Sequence, residues 1–382
     1  MRERDGTRSI VCFSINEWGD VPRNQVHLMR VARSRGYRVL YVETVGLRRP
    51  ELSRRDVGKI IRRLRRAARL VRRVDDRFWV LSPVALPVHG FRGLDRVNRL
   101  LLGLQVLAAS RALGFRRPLL WSYLPQTVGL HRILRPSATI YFRCDEYTEY
   151  RGVDPDQIER LEREAVTEAD LCLGSAEHYL EGVLRPARRA VWIPNGVDLD
   201  HFASPSSRDP YGDLPRPILL MTGTLEFWLD TELLRGVAEL RPQWTIALAG
   251  PLRTDLSALA DCENVHYLGV VEYDRLPDFL AAADVCMIPF RQTRFIEGAS
   301  PGKVYQYLAA GRPVVTTRIL SAEQFGDDVY FADSEPEAFV AAVERALAED
   351  RPELQAARRK VVEAHTWQRR FARIEEALAA IA

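Results

Sequence analysis

A chain of 382 residues with 47% hydrophobic and 28% charged side chains is long enough for two cored domains and too apolar for general disorder. Its net charge of +4 conceals an asymmetry: residues 1–200 carry 36 Lys and Arg against 24 Asp and Glu, a net +12, and residues 201–382 carry 19 against 27, a net −8. No stretch approaches the ~18 uncharged apolar residues of a membrane span, no signal peptide is read at the N-terminus, and a cytoplasmic location is expected. Cys12, Cys144, Cys172, Cys262 and Cys286 form no CxxC pair, and the seven His form no HExxH or HxH cluster, so neither a disulfide framework nor a metal site is predicted.

In chain order, SIVCFSI (9–15) reads as a buried strand. A helix is predicted at about 24–35, ended by Gly36, and RVLYVE (38–43) is the second strand. Further strands are predicted at 79–84, 118–124, 138–144, 171–175 and 190–196, with helical patterns between them, as at 157–169. The stretch 198–217, rich in Pro, Ser, Asp and Gly, reads as a linker. The alternation then restarts, with strands at 218–223, 245–250, 264–268, 285–289, 313–317 and 329–332. Helices are predicted at 229–240, 274–283, 301–310, 335–349 and 353–363, and an amphipathic helix at 365–382. Short apolar strands alternating with helices predict α/β architecture: two doubly wound, Rossmann-like domains, 1–197 and 218–364, facing a cleft.

Residues 48–74 hold twelve Lys and Arg against Glu51 and Asp56. Val57, Ile60, Ile61, Leu64, Ala67, Ala68, Val71 and Val74 fall on one helical stripe, so a basic amphipathic helix is predicted. Its two readings are a solvated surface helix packed on the sheet, or a helix resting on an anionic membrane surface. No nucleic-acid motif accompanies the charge, and no nucleic-acid partner is expected.

The segment TRFIEGASPGKVYQYLAAGRPVVTT (293–317) carries the most specific chemistry. Ser300 and Pro301 suit a helix N-terminus, and Gly311 its end. Such an N-terminus presents free N–H groups and the positive pole of the dipole, which favours phosphate. Lys303, one of three lysines in the chain, adds a cation there, and Gln306 can hydrogen-bond hydroxyls.

This segment resembles the sugar-nucleotide region of retaining GT-B glycosyltransferases of the bacterial polysaccharide type, in particular those of teichuronic-acid biosynthesis. Their P-x-K-x-Y-E-Y-L-A-A-G-K-P-V-V signature is matched here from Pro301 to Val315. The likeness extends to RVLYVE (38–43), IPNGVDLDHF (193–202), GTLEFWLDTELL (223–234), LAGP (248–251) and NVHYLGVVEYDRLPDFLAAADVCMIPF (264–290), in order along nearly the whole chain. The chain departs from the family at Gln306, usually a glutamate on the ribose, and at Gly298, where a second acid is usual and Glu297 stands one place off.

The resemblance implies transfer of a sugar from a nucleotide-diphosphate sugar to an acceptor hydroxyl with retention, with no metal and no further cofactor. Lys303, Ser300 and Pro301 would hold the diphosphate and Gln306 the ribose. Gly223, Thr224, Gly250 and Pro251 would bring backbone close to the donor, and Tyr273 would pack near the base. In the first domain Trp18, Arg23, Gln25 and Glu146 would contact sugar or acceptor, and Asp145 the acceptor hydroxyl. The acceptor would be a glycan or a lipid-linked sugar, with residues 48–74 meeting the inner face of the membrane. The helix at 365–382 would cross back to the first domain. The alternatives are a non-catalytic GT-B scaffold subunit and a sugar-nucleotide epimerase.

Overall fold

The apolar runs of the sequence become the strands of two separate sheets. The computed structural model describes residues 8–19, 22–43, 71–84, 92–149, 153–206, 208–293, 296, 300 and 302–381. The chain divides into unit 1, Met1–Pro194 with Phe371–Ala382, and unit 2, Asn195–Arg370.

Unit 1 contains β1 (Ser9–Phe13), β2 (Arg38–Val42), β3 (Val71–Arg73), β4 (Phe78–Leu81), β5 (Leu119–Ser122), β6 (Thr139–Arg143), β7 (Leu171–Gly174) and β8 (Ala190–Trp192). They form one sheet in the order β3-β4-β2-β1-β5-β6-β7-β8. Its longer helices are α1 (Asn24–Ser34), α2 (Arg92–Ala112) and α3 (Pro155–Glu168). Every residue of β1 is buried, because helices cover both faces of a parallel sheet and leave no polar side for the strand. The strand order reverses between β1 and β5, so their carboxyl ends open the crevice where such sheets bind ligands.

The last residues of the predicted 48–74 helix are a strand instead. Val71, Arg72 and Arg73 pair antiparallel with Leu81, Val80 and Trp79. The outer edge of β4 has backbone groups to satisfy, and the tight return through 74–77 brings the preceding residues alongside it. Edge pairing thus overrides the helical spacing at that end, and makes β3 the antiparallel member of an otherwise parallel sheet. Residues 48–70 lie outside the described residues.

Unit 2 contains β9 (Ile218–Thr222), β10 (Thr245–Ala249), β11 (Val265–Tyr267), β12 (Val285–Ile288), β13 (Val314–Thr317) and β14 (Val329–Ala332), all parallel in the order β11-β10-β9-β12-β13-β14. Around them pack α4 (Thr231–Leu240), α5 (Leu276–Ala282), α6 (Gly302–Ala309), α7 (Pro336–Glu349) and α8 (Pro352–Val362). Asp230 caps α4 by accepting from Leu233 N at 3.1 Å. Ile218, Leu219, Leu220 and Met221 are all fully buried; each such side chain contributes roughly 1.5–3 kcal/mol on leaving water.

The stretch 198–217, expected to be a linker, belongs to unit 2 and is strapped onto it. Phe202 and Tyr211 are buried in the unit 2 core, and the Tyr211 hydroxyl donates to Phe279 O at 2.7 Å. Two aromatic anchors outweigh a turn-rich composition.

The final helix, α9 (Trp367–Ala379), begins in unit 2 and ends in unit 1. In unit 1 the Phe371 ring stacks on Trp121 (6.3 Å between centroids) and stands edge-on to Tyr37 (5.6 Å). The Tyr37 hydroxyl donates to Glu375 at 2.9 Å. All five cysteines are free thiols.

Candidate functional site

In unit 2 the strand order reverses between β9 and β12. The residues just past their carboxyl ends are Gly223 and Thr224 on one side and Phe290 on the other. Gly223 has φ +101 and Gly250 φ +143, conformations that glycine adopts without the strain a side chain brings. A methyl group on Gly250 would lie 2.1 Å from Gly223 O, so the two loops pass with only backbone between them. They are also bonded together, Gly223 N donating to Ala249 O (2.8 Å) and Leu225 N to Pro251 O (2.9 Å), while Gly250 N donates to Gly269 O beyond β11 (2.7 Å). The Pro251 carbonyl thus helps to tie the two loops together.

Lys303, in the first turn of α6, lies on this backbone platform. A methyl group on Gly223 would come within 2.7 Å of its Cε and 3.0 Å of its Nζ. The ammonium stands 5.3 Å from the centroid of the Phe290 ring, which attracts the cation through its π face. Helix α6 buries Val304, Tyr305, Tyr307 and Leu308 and leaves Lys303 and Gln306, three residues apart, on the less buried face. A cation, a helix N-terminus and a close-approach backbone at one switch point form a site for a negatively charged group.

Two anchors hold α6 in place. The buried Tyr307 hydroxyl accepts from Thr222 N at 2.9 Å, fixing the helix to the last residue of β9. Burial pushes that phenol well above its ordinary pKa, so it stays protonated. At the N-terminal side, Asn195 Nδ2 donates to Ser300 O. Asn195 O in turn accepts from Arg370 Nε at 3.2 Å, and Arg370 Nη2 donates to His365 Nδ1 at 2.6 Å. Burial, with the Arg370 charge second, holds the His365 pKa down to about 4. Its imidazole is therefore neutral near pH 7, with Nδ1 free to accept. Pro301, Glu297 and Gly298 lie outside the described residues.

Tyr273 is placed differently from Lys303 and its glycines. Its ring stacks on His201 (4.3 Å, 2° between planes), with Phe202 edge-on at 5.7 Å. One face is thereby occupied within unit 2.

In unit 1, the candidate residues fall into two groups. Trp18 lies over Phe78 (4.4 Å) and edge-on to Tyr41 (5.2 Å), with the Arg30 guanidinium 5.8 Å from its ring. Its backbone N–H donates to Glu43 Oε1 at 2.9 Å, and Glu43, almost fully buried, also accepts from Arg72 (3.1 Å) and Ser82 (2.5 Å). The second group gathers near the end of β6. Gln25, buried in α1, directs Nε2 to Cys144 Sγ at 3.7 Å and accepts from Asn16 at 3.5 Å. Burial and the Asp145 charge push the Cys144 thiol up to about 12, which keeps it a neutral packing group. Half-buried Asp145 accepts from Glu146 N at 3.2 Å.

Glu146 is taken up by Arg143 (2.6 Å) and Thr148 (2.7 Å). Burial opposes its charge, but Arg143 and Thr148 together hold the carboxyl below its ordinary pKa. Arg143 is itself buried against Glu162 and lies 4.5 Å from the Tyr179 ring centroid. Arg23 is exposed at the start of α1 and its side chain makes no capping bond. The structure thus brings Gln25 to the Cys144–Glu146 loop and sets Trp18 in a separate aromatic cluster.

Sequence reasoning missed Asn195, Phe290, Tyr307, Glu43 and Arg143 as supports. Asn195, Phe290 and Tyr307 stand inside stretches that carry the family likeness, but their roles depend on partners distant in sequence. Among the described residues, no three or more His, Cys, Asp or Glu side chains are grouped to hold a metal ion, and no helix is long and apolar enough to cross a membrane.

Residues 216–349 match the family described as Glycosyl transferases group 1. A protein of Bacillus subtilis (strain 168), TuaH, named as a teichuronic acid biosynthesis glycosyltransferase, is 25% identical over 193 residues. That match covers 48% of this chain and 49% of the relative, so the alignment spans about half the relative's length. Among solved structures, sucrose-phosphate synthase from Thermosynechococcus elongatus is similar over 98% of this chain and 99% of its own (TM-score 0.72, 16% identity). HepE of Anabaena, in complex with UDP and glucose, is similar over 98% and 100% (TM-score 0.68, 14% identity). A glycosyltransferase from Rickettsia africae is similar over 98% and 99% (TM-score 0.66, 13% identity). The chain has the GT-B fold of two parallel-sheet α/β domains, and its residues 216–349 match the glycosyl transferases group 1 family.

Proposed function

We propose that the protein is a glycosyltransferase that moves a sugar from a nucleotide-diphosphate sugar to an acceptor hydroxyl, with retention, in the synthesis of cell-surface polysaccharide or glycolipid. The observation that carries this reading is the seating of Lys303 against Gly223 at the unit 2 switch point. Breaking the glycosidic bond to a diphosphate leaves negative charge on that group. A fixed cation and free helix N–H groups stabilise such charge without reorganising, the largest single source of catalysis in many enzymes. Lys303 and the start of α6 meet the diphosphate, Gly223, Thr224 and the Gly250–Pro251 turn carry the donor, and Gln306 exchanges hydrogen bonds with ribose hydroxyls. The acceptor hydroxyl is assigned to Asp145, whose half-buried carboxylate follows β6. No metal ion is required in this reading.

HepE, a protein of the same fold, is solved with UDP-glucose, and a uridine donor is the first to test. The acceptor is assigned as a glycan or lipid-linked sugar, met at an anionic membrane surface. Two features support this: the twelve basic residues of 48–74, and the exposed Val97, Leu100, Leu101 and Leu104 along α2. The deciding experiment is thermal unfolding of wild type and Lys303→Ala with UDP, GDP and ADP. A ligand that binds only the native state raises the melting temperature. One nucleotide should raise it by several degrees in the wild type and leave the variant unmoved. No shift with any nucleotide at millimolar concentration would favour a scaffold subunit instead.

A further inference from the structure

At the amino ends of β5 and β6, on the edge of the unit 1 sheet away from Gln25 and Asp145, the last turn of α2 and the segments before the two strands enclose a cavity of about 390 Å³. Among the described residues its wall includes Arg111, Arg117, Arg132 and Arg135, with Leu107 and Ser110, and no acidic side chain. Arg132 is exposed and pairs with Glu168 outside the wall at 3.1 Å. Arg111 and Arg135 have no carboxylate partner among the described residues.

Arg117 and Arg135 have φ +46 and +48, and among the described residues they are the two non-glycine positions with positive φ. A side chain in that conformation costs roughly 1–2 kcal/mol, which glycine would avoid. Arg135 is the left-handed cap that ends the short helix 131–134, and both arginines precede a proline, so two turns of the chain bring their side chains to one cavity. Ser110 is only 4% exposed, lines the cavity, and its Oγ has no hydrogen-bond partner. The Oγ is shut off from solvent, so Ser110 contributes a small, neutral wall to the cavity.

Helix dipole effects do not account for the arrangement. Only Arg111 belongs to α2, and the last carbonyls of that helix are already taken: Ala109 O by Leu113 N, Ser110 O by Phe115 N and Arg111 O by Gly114 N.

We infer that this cavity binds a phosphate ester. The guanidinium groups of Arg111, Arg117 and Arg135 supply the charge and planar donor forks. The cavity exceeds the space of a bare phosphate, and Leu107 gives an apolar wall for the esterified group.

The test is calorimetric titration at low salt in the full-length Lys303→Ala protein, which silences the candidate site of unit 2. One arm uses inorganic pyrophosphate and the other monomeric dihexanoyl phosphatidic acid. Arg117→Gly/Arg135→Gly is the informative variant, because glycine accepts both conformations and the fold is kept; its melting temperature should equal or exceed that of its parent. Both probes should bind the parent, and the double variant should bind at least tenfold more weakly. Tighter binding of the lipid probe assigns the site to a lipid phosphate, and equal binding to a soluble one. Failure of both probes to bind the parent at millimolar concentration, or undiminished binding by the double variant, would overturn the inference.

Discussion

At the carboxyl ends of β9 and β10 the chain is reduced to backbone: Gly223 and Gly250 pass each other with no space for a methyl group, and Lys303 reaches over Gly223 from α6. At the carboxyl ends of β2 and β6 in unit 1 the chain is crowded with side chains. Glu43 gathers Trp18, Arg72 and Ser82 there, and Arg143 gathers Glu146 and Glu162. The first arrangement suits a ligand recognised by its charge and held through amide groups. The second suits a partner recognised by shape and by directional hydrogen bonds. Tolerance to mutation should differ in the same sense: the Gly223–Gly250 crossing should fail when atoms are added, and the Glu43 and Arg143 clusters when they are removed.

The largest effect should come from Gly250→Ala. The new methyl group meets Gly223 O at 2.1 Å in a conformation with φ +143, so backbone must move. We expect a loss of about 3 kcal/mol or more, read by denaturant unfolding, together with loss of nucleotide binding. Unchanged stability would mean that the two loops are not in contact. Next in size is Lys303→Ala, which removes a charge-assisted contact worth about 1.5–3 kcal/mol. Donor affinity should fall roughly ten- to hundredfold with little change in melting temperature in the absence of ligand.

Tyr307→Phe should cost about 1–3 kcal/mol by leaving Thr222 N unbonded in the core. Its measure is equilibrium unfolding, and a neutral result would show that another group reaches that amide. On the unit 1 side, Asp145→Asn should lower turnover with acceptor while leaving nucleotide-induced stabilisation intact. Loss of both together would break the division of labour between the units.

The smallest effect concerns pH. The His365 pKa is held to about 4, below its ordinary 6.5, so the unfolded chain binds the proton first. The contribution of His365 is full above about pH 6.5 and is lost as pH falls toward 4. His365→Gln should flatten this part of the stability profile, and an identical profile in the variant would assign the acid sensitivity elsewhere.

The strand and helix series was legible because each central strand is buried on both faces and therefore reads as an unbroken apolar run. The α6 segment was legible because capping residues, lysine and terminal glycine are local in sequence. What could not be read is non-local. Tyr307 meets Thr222 across 85 positions and Gln25 meets Cys144 across 119, and no periodicity encodes either pair. Val71–Arg73 fits a helical stripe as well as a strand, and only the open edge of β4 decides between them. The 198–217 stretch misled through composition, since its polar majority says less than the two aromatic side chains that bury.

Unit 2 begins and ends at nearly one point. Val197 N donates to His365 O at 3.0 Å, Trp367 N to Val197 O at 3.3 Å, and Arg370 reaches back to Asn195 O. A methyl group on Gly196 would come 2.9 Å from the Trp367 ring, so the two threads lie side by side. In evolutionary and engineering terms, 195–370 is a cassette with adjoining ends, spliced into the sequence of unit 1 by two neighbouring strands of chain. Such a cassette can be exchanged for a related one at these two neighbouring points, with α9 kept continuous across the second. Donor choice, if it is written in this unit, is then a trait that one recombination event can transplant.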